Sequence, residues 1–188
     1  MKTIQYLWLW ISLLPLPSLA QVHLKGQRFI DVQAGLTDGF AGTNHQLGIN
    51  ALLSTGRYNR QYNAWRGTVS YVRKPITLGN TDQPTPVEQF AVGWGYEFNL
   101  WRNAVRTRFV RGIIQPIALY ESIPSSKSIV SDTTTTVPIA SSRFLLGAEA
   151  GIEVELSPVI VSVRQRWLPK SSVQPFHTLF SVGWRFHR

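Results

Sequence analysis

The chain has 188 residues, with 19 Lys and Arg against 10 Asp and Glu, and it contains no cysteine. This length suits one domain, and the absence of cysteine excludes disulfides. The basic side chains are scattered singly along the sequence instead of clustering on one element, so the positive charge does not indicate a nucleic-acid-binding surface.

The first twenty residues carry the pattern of a secretory signal peptide. Lys2 gives a positive start, residues 4–14 form an apolar core, and Ser18-Leu19-Ala20 is a small-residue cleavage site. The apolar core is shorter than the roughly 20 residues that a membrane-spanning helix needs. We therefore expect a signal peptide over residues 1–20, cleavage before Gln21, and a single domain over residues 21–188.

Eight later segments alternate between large apolar residues and small or polar ones, which is the period of a β-strand with one apolar face. The first four cover residues 30–36, 46–53, 65–71 and 89–98. The fifth, over residues 106–121, is less regular, because Arg111 and Gln115 interrupt the parity that Phe109 and Ile113 begin. The last three cover residues 144–155, 159–167 and 179–186.

An even number of strands is what bacterial single-chain outer-membrane barrels have. With the N-terminus in the periplasm, the connections over residues 54–64, 99–105 and 156–158 are predicted to be periplasmic. The connections over residues 37–44, 74–86, 121–142 and 168–175 then face outward, and the longest contains the run Thr133-Thr134-Thr135-Thr136. Long outer loops and short inner turns are typical of membrane barrels, although 54–64 is long for an inner turn.

Alternation alone also fits a soluble β-sandwich or a lipocalin-like barrel. A membrane barrel is favoured because the polar faces of the clearest strands lack Lys, and because bulky aromatic residues lie toward strand ends, as in the girdles at the lipid headgroups. The predicted fold is therefore all-β, an eight-stranded antiparallel up-and-down transmembrane β-barrel of the outer-membrane type. The residues predicted to form an aromatic girdle and an assembly signal are Trp167, Phe180, Trp184 and Phe186.

The interior of an eight-stranded barrel has room for its own side chains only, and a buried charge without a partner is costly. We therefore predict a network of paired charges in the lumen, with the alternative that some members are rim residues. Its predicted members are Glu97, Glu149, Glu153, Arg66, Arg164 and Arg185.

Catalytic and ligand-binding patterns are weak. A hydrolase needs a nucleophile, a histidine and an orienting carboxylate, and only His177 has serines near it, while Leu179 stands where a His-x-Ser pair would have Ser. The histidines and acidic residues show no metal-ligand spacing. We expect no enzymatic activity, no cofactor, no metal and no small-molecule substrate.

Several motifs are similar to those of the conjugative transposon protein TraO family. Near the N-terminus they are Gly26-Gln27-Arg28 and the six residues 35–40; near the C-terminus they are residues 164–168, Ser171-Ser172-Val173 and Phe176-His177-Thr178. The resemblance implies an accessory envelope component of a conjugative DNA-transfer apparatus, and it brings no catalytic residues with it.

We accordingly expect a non-enzymatic protein of the outer membrane. Its expected partners are outer-membrane lipid and other conjugation proteins or the recipient surface, without direct binding of nucleic acid. Two alternatives remain open at this point: a general OmpX- or OmpW-like barrel in adhesion or in handling small apolar ligands, and a membrane-embedded lipid hydrolase that uses His177.

Overall fold

A computed structural model of the chain describes residues 25–38, 47–59, 61–77, 84–123, 142–171 and 174–188. The predicted signal peptide and the threonine run of the longest connection lie outside these residues. The strands are β1 (Arg28–Thr37), β2 (Gly48–Tyr58), β3 (Ala64–Thr77), β4 (Pro84–Arg102), β5 (Arg108–Ser122), β6 (Arg143–Leu156), β7 (Val159–Trp167) and β8 (Phe176–His187).

The eight strands form one closed antiparallel barrel in chain order, with β8 paired to β1. The predicted fold is confirmed. The described part of the chain contains no helix that is long and apolar enough to cross a membrane.

Period-two alternation separates the two faces of each strand. In β4, Phe90, Val92 and Trp94 are at least half exposed on the outside, whereas Gln89 and Glu97 are buried inside. The outer apolar row from residue 90 to residue 100 spans about 33 Å at about 3.3 Å per residue. With a strand tilt of about 40°, this row is about 25 Å tall, which is the height of the apolar band of an outer-membrane barrel.

The irregular fifth strand has apolar side chains on its inner face as well as on its outer face. Phe109, Ile113, Ile117 and Leu119 are buried on the inner face together with Arg111 and Gln115. The membrane-facing row of β5 combines Ile114 and Tyr120 with small residues such as Gly112 and Ala118. The usual contrast between the faces is lost in β5 because part of the interior is itself apolar, with a cluster formed by Ala91, Ile117, Leu119, Leu145 and Leu168.

The connections at one end of the barrel are shorter than predicted. β2 continues to Tyr58, so residues 59–63 replace the predicted connection 54–64, and residues 103–107 replace 99–105. The prediction was too long because small and polar strand residues such as Thr55 and Gly56 resemble a loop in sequence. Asn59 and Asn103 close these turns, since each side-chain oxygen accepts two backbone N–H bonds.

The remaining connections emerge from the opposite end, which we call the long-connection end. At the short-turn end, the amide of Arg28 donates to the carbonyl of Arg188 at 3.1 Å, and the reverse bond measures 2.9 Å. The start of β1 and the last described residue are therefore neighbours at the short-turn end. This arrangement agrees with short periplasmic turns and long outer loops.

Two glycines allow β1 and β8 to close the barrel. A Cβ placed on Gly35 would overlap the Phe180 carbonyl, and one placed on Gly183 would overlap the Val32 carbonyl. Both glycines lie on the inner face of this seam, where the backbones approach each other most closely.

Candidate functional site

The centre of the barrel interior is organised around Arg185 of β8. Its guanidinium lies 2.6 Å from Asp31 Oδ1, 3.1 Å from Glu97 Oε1, 2.6 Å from Glu153 Oε1 and 2.9 Å from Glu155 Oε2. All five side chains are fully buried. One arginine thus joins carboxylates from β1, β4 and β6 across the lumen.

Arg66 and Arg111 extend this cluster toward β3 and β5. Arg66 reaches Asp31, Glu97 and Glu153 at 2.9–3.0 Å. Arg111 reaches Glu97 Oε1 at 2.6 Å and a Glu155 oxygen at 3.0 Å. Each carboxylate therefore contacts more than one guanidinium, and the cluster acts as a network rather than as separate pairs.

Glu149 holds the side of the network nearer to β7. Its carboxylate contacts Arg166 at 2.9 Å and Arg164 at 3.2 Å, and Arg164 also contacts Glu153 at 3.3 Å. Gln115 donates to Glu149 at 3.0 Å. Arg164 is therefore the link between the Glu149 pair and the cluster around Arg185.

The network is electrically balanced, with five guanidinium groups and five carboxylates. We call it the lumen network. Removing one member of a buried ion pair leaves an uncompensated charge, which costs about 3–5 kcal/mol. The balance therefore fixes both the packing and the neutrality of the interior.

The structure brings all six predicted lumen residues together in the lumen network. Four further members were missing from the prediction: Asp31, Arg111, Glu155 and Arg166. The parity rule applied to Asp31, Glu155 and Arg166 would have identified three of them, because they share the inner parity of their strands. Arg111 was hidden by the apolar residues on the inner face of β5.

An apolar floor closes the interior at the short-turn end. Phe29, Tyr58 and Ala64 form a buried cluster, and the ring centroids of Phe29 and Tyr58 are 4.9 Å apart. The Arg185 guanidinium lies 4.3 Å from the Phe29 ring centroid and donates to the Tyr58 hydroxyl at 3.0 Å. The described side chains thus fill the barrel from the floor, through the lumen network, to the apolar cluster above it.

Aromatic side chains form a row on the outer surface near the long-connection end. Across four adjacent strands, the cross-strand neighbours are Tyr71, Phe90, Tyr120 and Phe144. Ring centroids are 4.9 Å apart in the Tyr71–Phe90 pair and 5.0 Å apart in the Tyr120–Phe144 pair. Such a row matches an aromatic girdle at the headgroup level.

The four residues predicted for the girdle and assembly signal all lie on the outer rows of β7 and β8. Trp167 pairs with Phe176 near the long-connection end, whereas Trp184 and Phe186 lie near the short-turn end. Phe180 lies between these two levels and is only partly exposed. The structure therefore distributes these residues over the height of the barrel rather than in one ring.

Two buried acidic residues organise the long-connection end. The Asp38 cluster consists of Asp38, Lys74, Gln174 and His177: the Asp38 carboxylate accepts from Lys74 at 2.9 Å and Gln174 at 2.7 Å, and it lies 2.9 Å from His177 Nδ1. Burial raises the pKa of Asp38, but the hydrogen bonds from His177 and Lys74 outweigh it and hold the pKa below its ordinary value.

The second acidic residue is Glu121. Its carboxylate accepts from Ser171 at 2.7 Å, from Gln89 at 3.0 Å and from Arg143 at 3.3 Å. Both acidic groups thus hold the β7–β8 connection, through Gln174 and Ser171 respectively. They fix where this connection leaves the barrel.

The Asp38–His177 pair provides an oriented imidazole, which is one part of a hydrolytic triad. The Ser171 hydroxyl, however, donates to Glu121. Within the described residues, no group of three or more His, Asp or Glu side chains is placed to hold a metal ion. The Asp38 and Glu121 carboxylates thus both contact residues of the β7–β8 connection.

The fold is that of an outer-membrane-type β-barrel, because the barrel is closed, its outer band is apolar and an aromatic row lies near one end of that band. Ail, the attachment invasion locus protein of Yersinia pestis, is similar at 14% identity and a TM-score of 0.50, over 87% of this chain and all of Ail. Ail in complex with the heparin analogue sucrose octasulfate gives 12% identity, a TM-score of 0.50 and the same coverage of both chains. Neisserial surface protein A gives 13% identity and a TM-score of 0.51, over 84% of this chain and 95% of that protein. These likenesses concern the fold alone.

The sequence itself identifies the family. The family model described as conjugative transposon protein TraO matches residues 24–187, nearly the whole chain. This chain therefore belongs to the TraO family, as its end motifs predicted. No curated protein sequence matches the chain.

Proposed function

We propose that this protein is a non-enzymatic outer-membrane barrel that serves as an accessory component of a conjugative DNA-transfer apparatus. Membership of the TraO family carries the link to conjugative transposons. The barrel fold and its outer-membrane neighbours support an outer-membrane location. Export through a cleaved signal peptide over residues 1–20 is part of the same proposal.

The filled interior indicates how such a barrel acts. Arg185 and Arg66 bridge carboxylates from several strands, so the lumen network occupies the space through which a solute would pass. Eight strands enclose room for side chains only. The surfaces that remain for function are the two ends and the membrane-facing band, and contact with other transfer proteins or with the recipient surface uses these.

The proposal of a non-enzymatic role rests on the Asp38 cluster. His177 is held by Asp38 and Gln174, and Lys74 and the amide of Thr178 bind the same carboxylate. A carboxylate that binds the β7–β8 connection and the two strands β3 and β8 has the contacts of a structural link. Measuring lipid hydrolysis by the purified barrel and its His177→Ala variant tests this point, and hydrolysis that depends on His177 would contradict it.

Deletion of the coding sequence from the mobile element tests the function. Transfer frequency is expected to fall and to recover when the wild-type chain is supplied in trans. The matched control is an Arg73→Gln chain, because Arg73 is half exposed and its ion pair with Glu88 is long, at 3.9 Å; it is expected to restore transfer fully. Unchanged transfer after deletion, combined with reduced attachment of cells to surfaces, would favour a general adhesion barrel instead.

A further inference from the structure

Three arginines lie side by side on the membrane-facing surface at the short-turn end. Arg28 of β1 is the cross-strand neighbour of Arg57 of β2, and its backbone forms the two hydrogen bonds with Arg188 after β8. All three side chains are exposed. We call this group the arginine row.

Each of these arginines continues the outward row of its strand. Arg28 lies two residues beyond Ile30, and Arg188 lies two residues beyond Phe186, both of which are exposed on the apolar face. At about 3.3 Å per residue and with a strand tilt of about 40°, the Cα atoms of Arg28 and Arg188 lie about 5 Å beyond those of Ile30 and Phe186 along the membrane normal. The phosphate groups of lipids lie at this level, just outside the hydrocarbon core.

Among the described residues, no acidic side chain lies on this part of the surface. Of the ten in the sequence, five lie in the lumen network, and Asp38, Glu88 and Glu121 lie toward the long-connection end. The other two, Asp82 and Asp132, belong in sequence to the β3–β4 and β5–β6 connections. Within the described residues, the arginine row therefore has no carboxylate side chain as a counter-ion.

Like charges directly opposite each other on neighbouring strands are destabilising. Arg57 Nε donates to the Gly26 carbonyl at 3.0 Å, and this neutral acceptor does not balance the arginine charge. An external anion would relieve the repulsion, and arginine matches phosphate because its guanidinium can bind two oxygens at once.

We propose that the arginine row binds the phosphate groups of anionic phospholipids in the periplasmic leaflet. The inference rests on the outer-membrane placement proposed above. A lipid is favoured over an acidic protein because the row lies on the face that contacts lipid and is continuous with the apolar band. The site anchors the closing seam, where β8, β1 and β2 meet, to the headgroups.

The test uses the full barrel reconstituted in vesicles of equal phosphatidylglycerol and phosphatidylcholine. Native mass spectrometry then measures the ratio of the two lipids that stay bound. The wild type is expected to retain phosphatidylglycerol in excess. The Arg28→Gln/Arg57→Gln variant is expected to lower this ratio by about fivefold or more, since each basic residue near an anionic surface contributes a factor of about five.

The matched control is Arg73→Gln/Lys170→Gln, which removes the same charge from exposed positions at the long-connection end. It is expected to keep the wild-type ratio. An Arg28→Lys/Arg57→Lys variant keeps the charge and is expected to give an intermediate ratio. Heat-modifiable migration on a gel verifies that each chain is folded, and the lysine variant serves if the glutamine variant fails to fold.

Three results would overturn the proposal. The first is a wild-type ratio of one, and the second is an equal fall in the control and in the arginine variant. The third is loss of the lipid preference in millimolar inorganic phosphate, which would make the row a general anion site. A wild-type ratio of one together with charge-dependent binding of an acidic transfer protein would favour a protein partner. The transfer apparatus is absent from this experiment, so its outcome is independent of the mating assay.

Discussion

Replacing Arg185 by Met is the sharpest perturbation of the lumen network. The change keeps a long side chain but removes the guanidinium that contacts Asp31, Glu97, Glu153 and Glu155 at 2.6–3.1 Å. Five buried carboxylates then face four guanidinium groups. Breaking a buried ion pair costs about 3–5 kcal/mol, so we expect the free energy of unfolding to fall by at least about 3 kcal/mol.

The assay is equilibrium unfolding of the full barrel by urea in lipid vesicles, followed by tryptophan fluorescence. The control is Arg73→Met, because an exposed ion pair contributes about 0–1 kcal/mol and the Arg73–Glu88 pair is only partly buried. A second variant, Arg185→Met with Glu97→Gln, restores the charge balance and is expected to recover part of the loss. A loss below about 1 kcal/mol in Arg185→Met, equal to that of the control, would refute the account of a balanced network.

The Asp38 cluster, the β1–β8 seam and the end of β8 can each be tested by one further variant. Folding lowers the pKa of Asp38. The stability that this carboxylate contributes is therefore present above its ordinary pKa and is lost as the pH falls through the lowered value. We expect the difference in urea midpoint between the wild type and the Asp38→Asn variant to shrink below about pH 4. Gly35→Val places a side chain against the Phe180 carbonyl and is expected to abolish the folded, heat-modifiable band, whereas Ala34→Val on the outer face of β1 keeps it. Deletion of residues 186–188 is expected to block membrane insertion, which fractionation of cells measures; normal insertion would show that Phe186 is not part of an assembly signal.

The strand pattern was predictable because one physical contrast dominates it. Phe90 and Trp94 face lipid while Gln89 and Glu97 face the interior, and this contrast repeats every second residue. It failed in β5, where Phe109 and Arg111 share the inner face. There the interior combines an apolar layer with a charged layer, so the type of a residue no longer indicates whether it faces lipid or the interior.

The partners within the interior could not be predicted from the sequence. Arg185 and Asp31 are separated by 154 positions, and Asp38 and His177 by 139. Such pairs depend on the closure of β8 onto β1 and on the register of that seam. Parity indicates which side chains enter the lumen, but only the register decides which carboxylate each guanidinium meets.

We propose that the lumen network closes the barrel, so that the protein acts through its surfaces. Conductance of the full chain in a planar lipid bilayer tests this most directly. We expect the wild-type barrel to carry no sustained channel current. A steady ohmic current through the wild type that changes in the Arg185→Met variant would contradict it, because the current would then pass through the space that the network fills.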